Sequence, residues 1–324
     1  ISVHTNYYMY DIDEEGNRVI VATLNQAFAL NGTVYNSNNN FGCYVIKYDR
    51  NMSLMYVTLV INNHQTSCDR SYVTSEKIII VVAYSQSGGN NTKSVMEVNS
   101  TGASKHLNSF PKKTTWCSGA SYQIVGIAVN KIMIHPNSGD IWMQINHQRW
   151  FNGCGSGSSL PYNSLSMHSG MIGLMKLSSS GSLSSHRSLG YFSDSDLSNF
   201  IPYENNQVAL TGTGNTVANG SYSWMFGTQI YWDYPNSDSS REVSFYVTLS
   251  SNGGVDEMNA ENMTSDCYVY SSNLIYNNSK VYVWGKYVNK QLTTQCSFLG
   301  TNLPKTSSGQ YGFFGEISNH NKSN

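Results

Sequence analysis

Five times along the chain a run of alternating apolar residues breaks at a short cluster of turn formers. The copies are "VIKYDRNMS" from Val45, "VMEVNSTGA" from Val95, "LMKLSSSGS" from Leu174, "YVTLSSNGG" from Tyr246 and "FGEISNHNK" from Phe314. Period-2 alternation ending in Ser, Asn, Asp and Gly is the local signature of a β-hairpin. The aligned polar positions Lys47, Glu97, Lys176, Thr248 and Glu316 stand 50, 79, 72 and 68 residues apart. A second strand signal precedes each copy: "GNRVIVATL" from Gly16, "EKIIIVVAY" from Glu76, "SGDIWMQIN" from Ser138, "NQVALTGTG" from Asn206 and "SKVYVWGKY" from Ser279. With a further short apolar run upstream of four of these, one repeat reads as three or four antiparallel strands. No long segment shows a 3.6-residue period with caps.

Five small sheets that cannot bury their faces singly must cover one another, so the pattern predicts an all-β fold, a β-propeller of five blades. The blades are expected near 1–60, 61–112, 118–190, 198–258 and 265–324, forming a single domain over 1–324. Tandem β-sandwiches are the competing architecture, and the repeat spacing fits them less well. The units "DIDEEGNRVIVATL" and "YVIKYDRNMSLMYVTL", and more loosely "HPNSGDIWMQI" and "GLMKLSSSGSL", resemble the blades of secreted β-propeller-repeat proteins. In those blades an aspartate and a Gly-Asn pair open one strand, and a lysine followed by an aspartate closes another. The resemblance covers most of the chain and implies architecture only. The last copy lacks the lysine, and the sequence stops at Asn324, so the fifth blade is expected to lack its outermost strand. N-terminal residues, or a strand from a neighbouring molecule, would complete such an edge.

Charged residues make up only 12% of the chain, about half the usual share, and the net charge is −1. No basic field exists to gather phosphates, so nucleic acid is excluded as an expected partner. The longest apolar run, Lys77 to Ser85, has strand length, and no membrane span is expected. A chain that opens at Ile1 without a basic, apolar leader fits a mature secreted protein. Six cysteines without a CxxC pair fall into three local couples, Cys43 with Cys68, Cys117 with Cys154 and Cys267 with Cys296. They are expected to form disulfides in an oxidising compartment, although six cysteines allow 15 pairings.

Eight glycosylation sequons occur, at Asn31, Asn51, Asn90, Asn99, Asn219, Asn262, Asn277 and Asn321. A chain this rich in Asn, Ser and Thr yields a similar number by chance, so only placement informs. Asn51, Asn99, Asn277 and Asn321 fall in predicted turns.

The stretch "DIDEEGN", with Asp11 and Asp13, resembles the start of a calcium loop but lacks the downstream bidentate Glu. A strand-to-strand turn is the better reading, and no metal or other cofactor is expected. Glycoside cleavage needs two carboxyl groups about 5 to 10 Å apart. Asp11, Asp69, Asp140, Glu204 and Asp266 stand near comparable strand starts, without a spacing that selects a pair. Trp142 and Trp284 sit in strand alternation and are expected in the core between blades. Trp116, Trp150, Tyr162 and Trp232 lie in loop-like sequence and form the expected contact surface.

The leading expectation is an extracellular glycoprotein that is not an enzyme, with a structural or adhesive role. It would self-associate into a filament or sheet, or meet other extracellular proteins and glycans. A carbohydrate-binding lectin is the alternative, and a glycoside hydrolase with a central carboxylate pair is the third reading.

Overall fold

The computed structural model describes residues 5–36, 41–62, 65–85, 91–111, 113–116, 122–152, 172–188, 196–217, 222–225, 228–231, 240–262, 267–290, 295–299, 301–304 and 308–317. The chain is all-β, built from the meandering antiparallel sheets of the propeller class, and divides into two compact units. Unit 1 takes residues 1–134, 140–169 and 177–183, and unit 2 the remainder.

In unit 1 the first sheet consists of β1 (Thr5–Ile12), β2 (Arg18–Leu24), β5 (Gly42–Tyr48) and β6 (Leu54–Asn62), in that order. A small hairpin, β3 (Phe28–Leu30) with β4 (Thr33–Tyr35), lies between β2 and β5 in sequence. Phe28 stacks on Tyr35 and meets the Tyr44 ring edge-on, so the hairpin covers one face of this sheet. The second sheet contains β7 (Ser67–Val73), β8 (Lys77–Ser85), β9 (Asn91–Asn99) and β10 (Ser104–Pro111). Ile78 to Val82 are all buried, which marks β8 as a strand covered on both faces. The other face of the first sheet packs on the second through Val19, Val21, Val45, Ile78 and Ile80. The strands β11 (Lys113–Trp116), β12 (Tyr122–Ile134) and β13 (Ile141–Asn152) complete the regular part of unit 1. Trp142 is fully buried on β13, as its alternation predicts.

Next in sequence come β14 (Ile172–Leu177) and β15 (Leu183–Ser188), flanking a tight turn. Unit 2 then holds a four-stranded sheet of β16 (Asp196–Pro202), β17 (Val208–Val217), β20 (Ser240–Leu249) and β21 (Val255–Asn262). A hairpin, β18 (Tyr222–Met225) with β19 (Thr228–Tyr231), falls inside the β17–β20 connection. The last sheet has three strands among the described residues: β22 (Cys267–Asn277), β23 (Lys280–Asn289) and β26 (Gly309–Ile317). The short pair β24 (Ser297–Phe298) and β25 (Thr301–Asn302) precedes β26. The buried side of this sheet, with Val269, Leu274, Val281, Val283 and Tyr287, packs on Ala209 and Tyr246.

The turn formers act identically at five places. In residues 13–17, 49–53, 99–103, 178–182 and 250–254 the first N–H donates to the carbonyl of the fifth residue, and the fourth N–H returns to the carbonyl of the first. At the first four turns the leading side chain, Asp13, Asp49, Asn99 or Ser178, also accepts from the fifth backbone N–H. This is why Asp, Asn or Ser must lead. The fourth residue takes a left-handed conformation, supplied by Gly16, Gly102, Gly181 and Gly253, whereas residues 49–53 place Met52 there at φ 69°. Left-handed backbone costs a non-glycine residue about 1–2 kcal/mol, and glycine returns about 0.5–1 of that through its looser unfolded state. Because the Met52 side chain is 54% exposed, it contributes little burial. Met52→Gly should therefore raise stability by about 0.5–1 kcal/mol, read as an increase in Tm. A decrease would show that the Arg18 contact to the Met52 sulfur outweighs the backbone gain.

Two of the expected disulfides are present, Cys43–Cys68 and Cys267–Cys296. Cys117 and Cys154 lie outside the described residues. No helix among the described residues is long and apolar enough to cross a membrane.

Candidate functional site

In each of the five larger sheets the first or second strand carries one irregular step in its pairing register. It leaves Asn6 of β1, Asp69 of β7, Asn130 of β12, Ser198 of β16 and Ser272 of β22 outside the ladder. A bulge adds one residue, bends the strand and re-aims the side chains beside it. Two of these bulges, at Asp69 and Asn130, border a cleft of about 540 Å³ in unit 1.

That cleft is built by "SCDRS". Cys68 is locked to Cys43 beneath it, and its N–H donates to Thr23 Oγ1 at 2.9 Å. Asp69 cannot stay in the ladder, so its carboxylate turns out. It accepts from Ser67 Oγ at 2.9 Å and pairs with Lys93, both charged groups remaining about one-fifth exposed. The guanidinium of Arg70 donates Nε–H to the Asn130 carbonyl at 2.8 Å and Nη1–H to the Asp69 carbonyl at 2.7 Å. It thus ties the two bulges together. Thr23, Thr66 and the exposed ring of Phe41 complete the wall. The result combines a partly exposed carboxylate paired to Lys93, a guanidinium, hydroxyl groups and one apolar ring. Such a set recognises a small molecule that carries many hydroxyls and one apolar face.

Of the other acids expected near strand starts, Asp11 accepts from the Ile12 N–H at the end of β1. Glu204 of unit 2 accepts from the Tyr276 hydroxyl at 2.9 Å. Asp140 follows the β12–β13 turn and is half-buried, and Asp266 is outside the described residues. Of the five, Asp69 is the acid that lines this cleft.

Asp13 is not available as a calcium ligand. Its side chain is fully buried and ion-paired to Lys47 at 2.8 Å, and it accepts from the Asn17 and Glu15 N–H groups. Burial pushes this carboxyl up. Hydrogen bonds from Lys47 and Asn17, with the charge of Lys47, outweigh that and hold it below the usual carboxylate range. The turn reading is the one the geometry supports, and Asp11 remains exposed on β1. No group of three His, Cys, Asp or Glu among the described residues is placed to hold a metal ion.

The aromatic contact surface needs correction. Trp116 and Trp150 are not in loops: their backbones belong to β11 and β13, where they pair with Tyr122 and Ile124 of β12. Tyr162 and Trp232 lie outside the described residues. Among the sequons, Asn31, Asn51, Asn99 and Asn277 fall in exposed turns or strand ends, and Asn262 ends β21. Asn90, Asn219 and Asn321 are outside the described residues.

No protein-family model and no curated protein sequence matches the chain. Among solved structures, it is similar to a GH43 β-xylosidase/α-arabinofuranosidase from a compost microbial metagenome, crystallised with xylotriose in a calcium-free form. The TM-score is 0.33 and the identity 10%, over 99% of this chain and 93% of that one. At that distance the likeness transfers no residue and no substrate. It does correct one expectation: a protein similar to this one is a glycosidase, so the reading of the chain as not an enzyme is withdrawn.

Proposed function

We propose a carbohydrate-directed protein, one that seats a saccharide in the cleft between the bulges of β7 and β12. The observation that carries the reading is Asp69. A bulge ejects its carboxylate from the sheet, Lys93 and Ser67 hold it, and it opens to a cleft walled by an exposed aromatic ring. The carboxylate accepts from sugar hydroxyls, Lys93 and Ser67 fix its orientation, and Phe41 covers the C–H face of the ring. This reading takes precedence over the structural or adhesive role, which rests on composition. Glycoside hydrolysis is the reaction class to assay, with Asp69 as one member of the carboxylate pair it requires. The two disulfides are compatible with an extracellular address.

The test is calorimetric titration of the full chain with xylo-oligosaccharides, run beside turnover of aryl β-xylosides and α-arabinofuranosides. Asp69→Asn is expected to weaken binding about tenfold, the cost of trading charge-assisted hydrogen bonds for neutral ones. Any turnover should be abolished by the same change. Saccharide binding that Asp69→Asn leaves untouched would remove the cleft from the account, and no saccharide binding at all would sink the reading.

A further inference from the structure

The exposed side of the last sheet is an aromatic platform. Register puts Tyr268 and Tyr270 of β22, Tyr282 and Trp284 of β23 and Phe314 of β26 on one face, opposite the buried side of the same sheet. Phe314 is 69% exposed and stacks on Tyr282 with ring centroids 5.7 Å apart and planes within 6°. Tyr268 and Tyr270 lie parallel, 7° apart in plane and 6.5 Å between centroids. Basic groups run through the rings: Lys290 Nζ lies 4.4 Å from the Tyr268 ring and Lys286 Nζ 5.4 Å from that of Tyr270. Lys280 is paired with Glu316 at 2.9 Å. Three lysines against one glutamate make this face basic in a chain whose net charge is −1.

We infer that this face is a second saccharide surface, specific for a linear acidic polysaccharide. The exposed Phe314 ring, extended by Tyr282 stacked beside it, offers a stacking surface for a sugar face. Lys286 and Lys290 hold their ammonium groups over the Tyr270 and Tyr268 rings of the same face, where they meet the uronate or sulfate groups of a chain stacked on Phe314. Their positive excess also disfavours the same face of a second copy, since like charges would meet across the contact. Nucleic acid shares the taste for rings and lysines. The overall negative charge and the buried disulfides favour a glycan met outside the cell. The platform belongs to unit 2 and involves no residue of the Asp69 cleft, so either site can fail without the other.

Affinity electrophoresis of the full chain through gels containing polygalacturonate or neutral xylan, at low and physiological salt, tests the inference. Retardation by polygalacturonate is expected, weakening with salt. The paired change Lys286→Gln with Lys290→Gln should weaken it about tenfold. Phe314→Ser should weaken it severalfold while the circular dichroism spectrum is unchanged, and Asp69→Asn should leave it as it was. Four results would overturn the inference: no retardation by polygalacturonate, equal retardation by xylan and polygalacturonate in the Asp69→Asn variant, tighter binding of a single-stranded oligonucleotide, or self-association that Phe314→Ser abolishes.

Discussion

Lys47→Met is expected to lower stability by about 3–5 kcal/mol at neutral pH, the usual cost of removing one partner of a buried ion pair. The Lys47 and Asp13 side chains are 3% and 0% exposed, so water cannot replace the missing ammonium. Asp13 would keep its charge with only the turn N–H groups and Asn17 Nδ2 to hold it. A second substitution that neutralises the stranded group, Asp13→Asn, should recover part of the loss. The pH dependence follows from the lowered pKa of Asp13, whose ordinary value is 3.8. A carboxyl depressed by folding contributes fully above that value and loses its contribution as pH falls through the folded-state pKa. The gap between wild type and Lys47→Met in urea unfolding should therefore be widest near neutrality and should close in acid. A gap below about 1 kcal/mol, or one that persists in acid, would show that the pair contributes little.

Replacing Cys43 and Cys68 together by Ala is expected to cost about 3–4 kcal/mol. Closing a loop of 25 residues accounts for about 3.5 kcal/mol in the chain-entropy description. Both sulfurs are buried in the cluster of Val19, Val21, Val45, Ile78 and Ile80, so lost packing adds to that figure. The bond also fixes Cys68 immediately before the bulge that ejects Asp69. The double variant should therefore bind xylo-oligosaccharides more weakly even where it remains folded. Loss of stability with unchanged binding would mean that Arg70, not the disulfide, positions the carboxylate.

The turns were legible because their chemistry is local. Asp13, Asp49, Asn99, Ser178 and Ser250 each lead a five-residue loop whose hydrogen bonds need no distant partner. The cysteine couples Cys43–Cys68 and Cys267–Cys296 could be read for the same reason. The bulges could not. An extra residue in a strand leaves its composition unchanged, and "SCDRS" reads as an ordinary polar strand start. The cleft was further out of reach, since it joins Arg70 to Asn130 across 60 residues and needs Phe41 from another connection. Trp284 shows the limit of alternation. Period 2 places it opposite Val283, and the buried side of the sheet went to Val283 while Trp284 kept a half-exposed face.

The strand order has a further consequence for how the chain reaches its fold. Among the described strands, sheet partners follow one another along the chain, directly or, for β2–β5, β17–β20 and β23–β26, with one two-stranded pair between them. Every ladder can therefore close over a short stretch of chain, the arrangement that keeps contact order low for a β protein. A sheet need not wait for the C-terminus to be synthesised, because its partners have already left the ribosome when its last strand emerges. Assembly is then paced by the docking of finished sheets, and the interval in which bare strand edges are open to other chains is short.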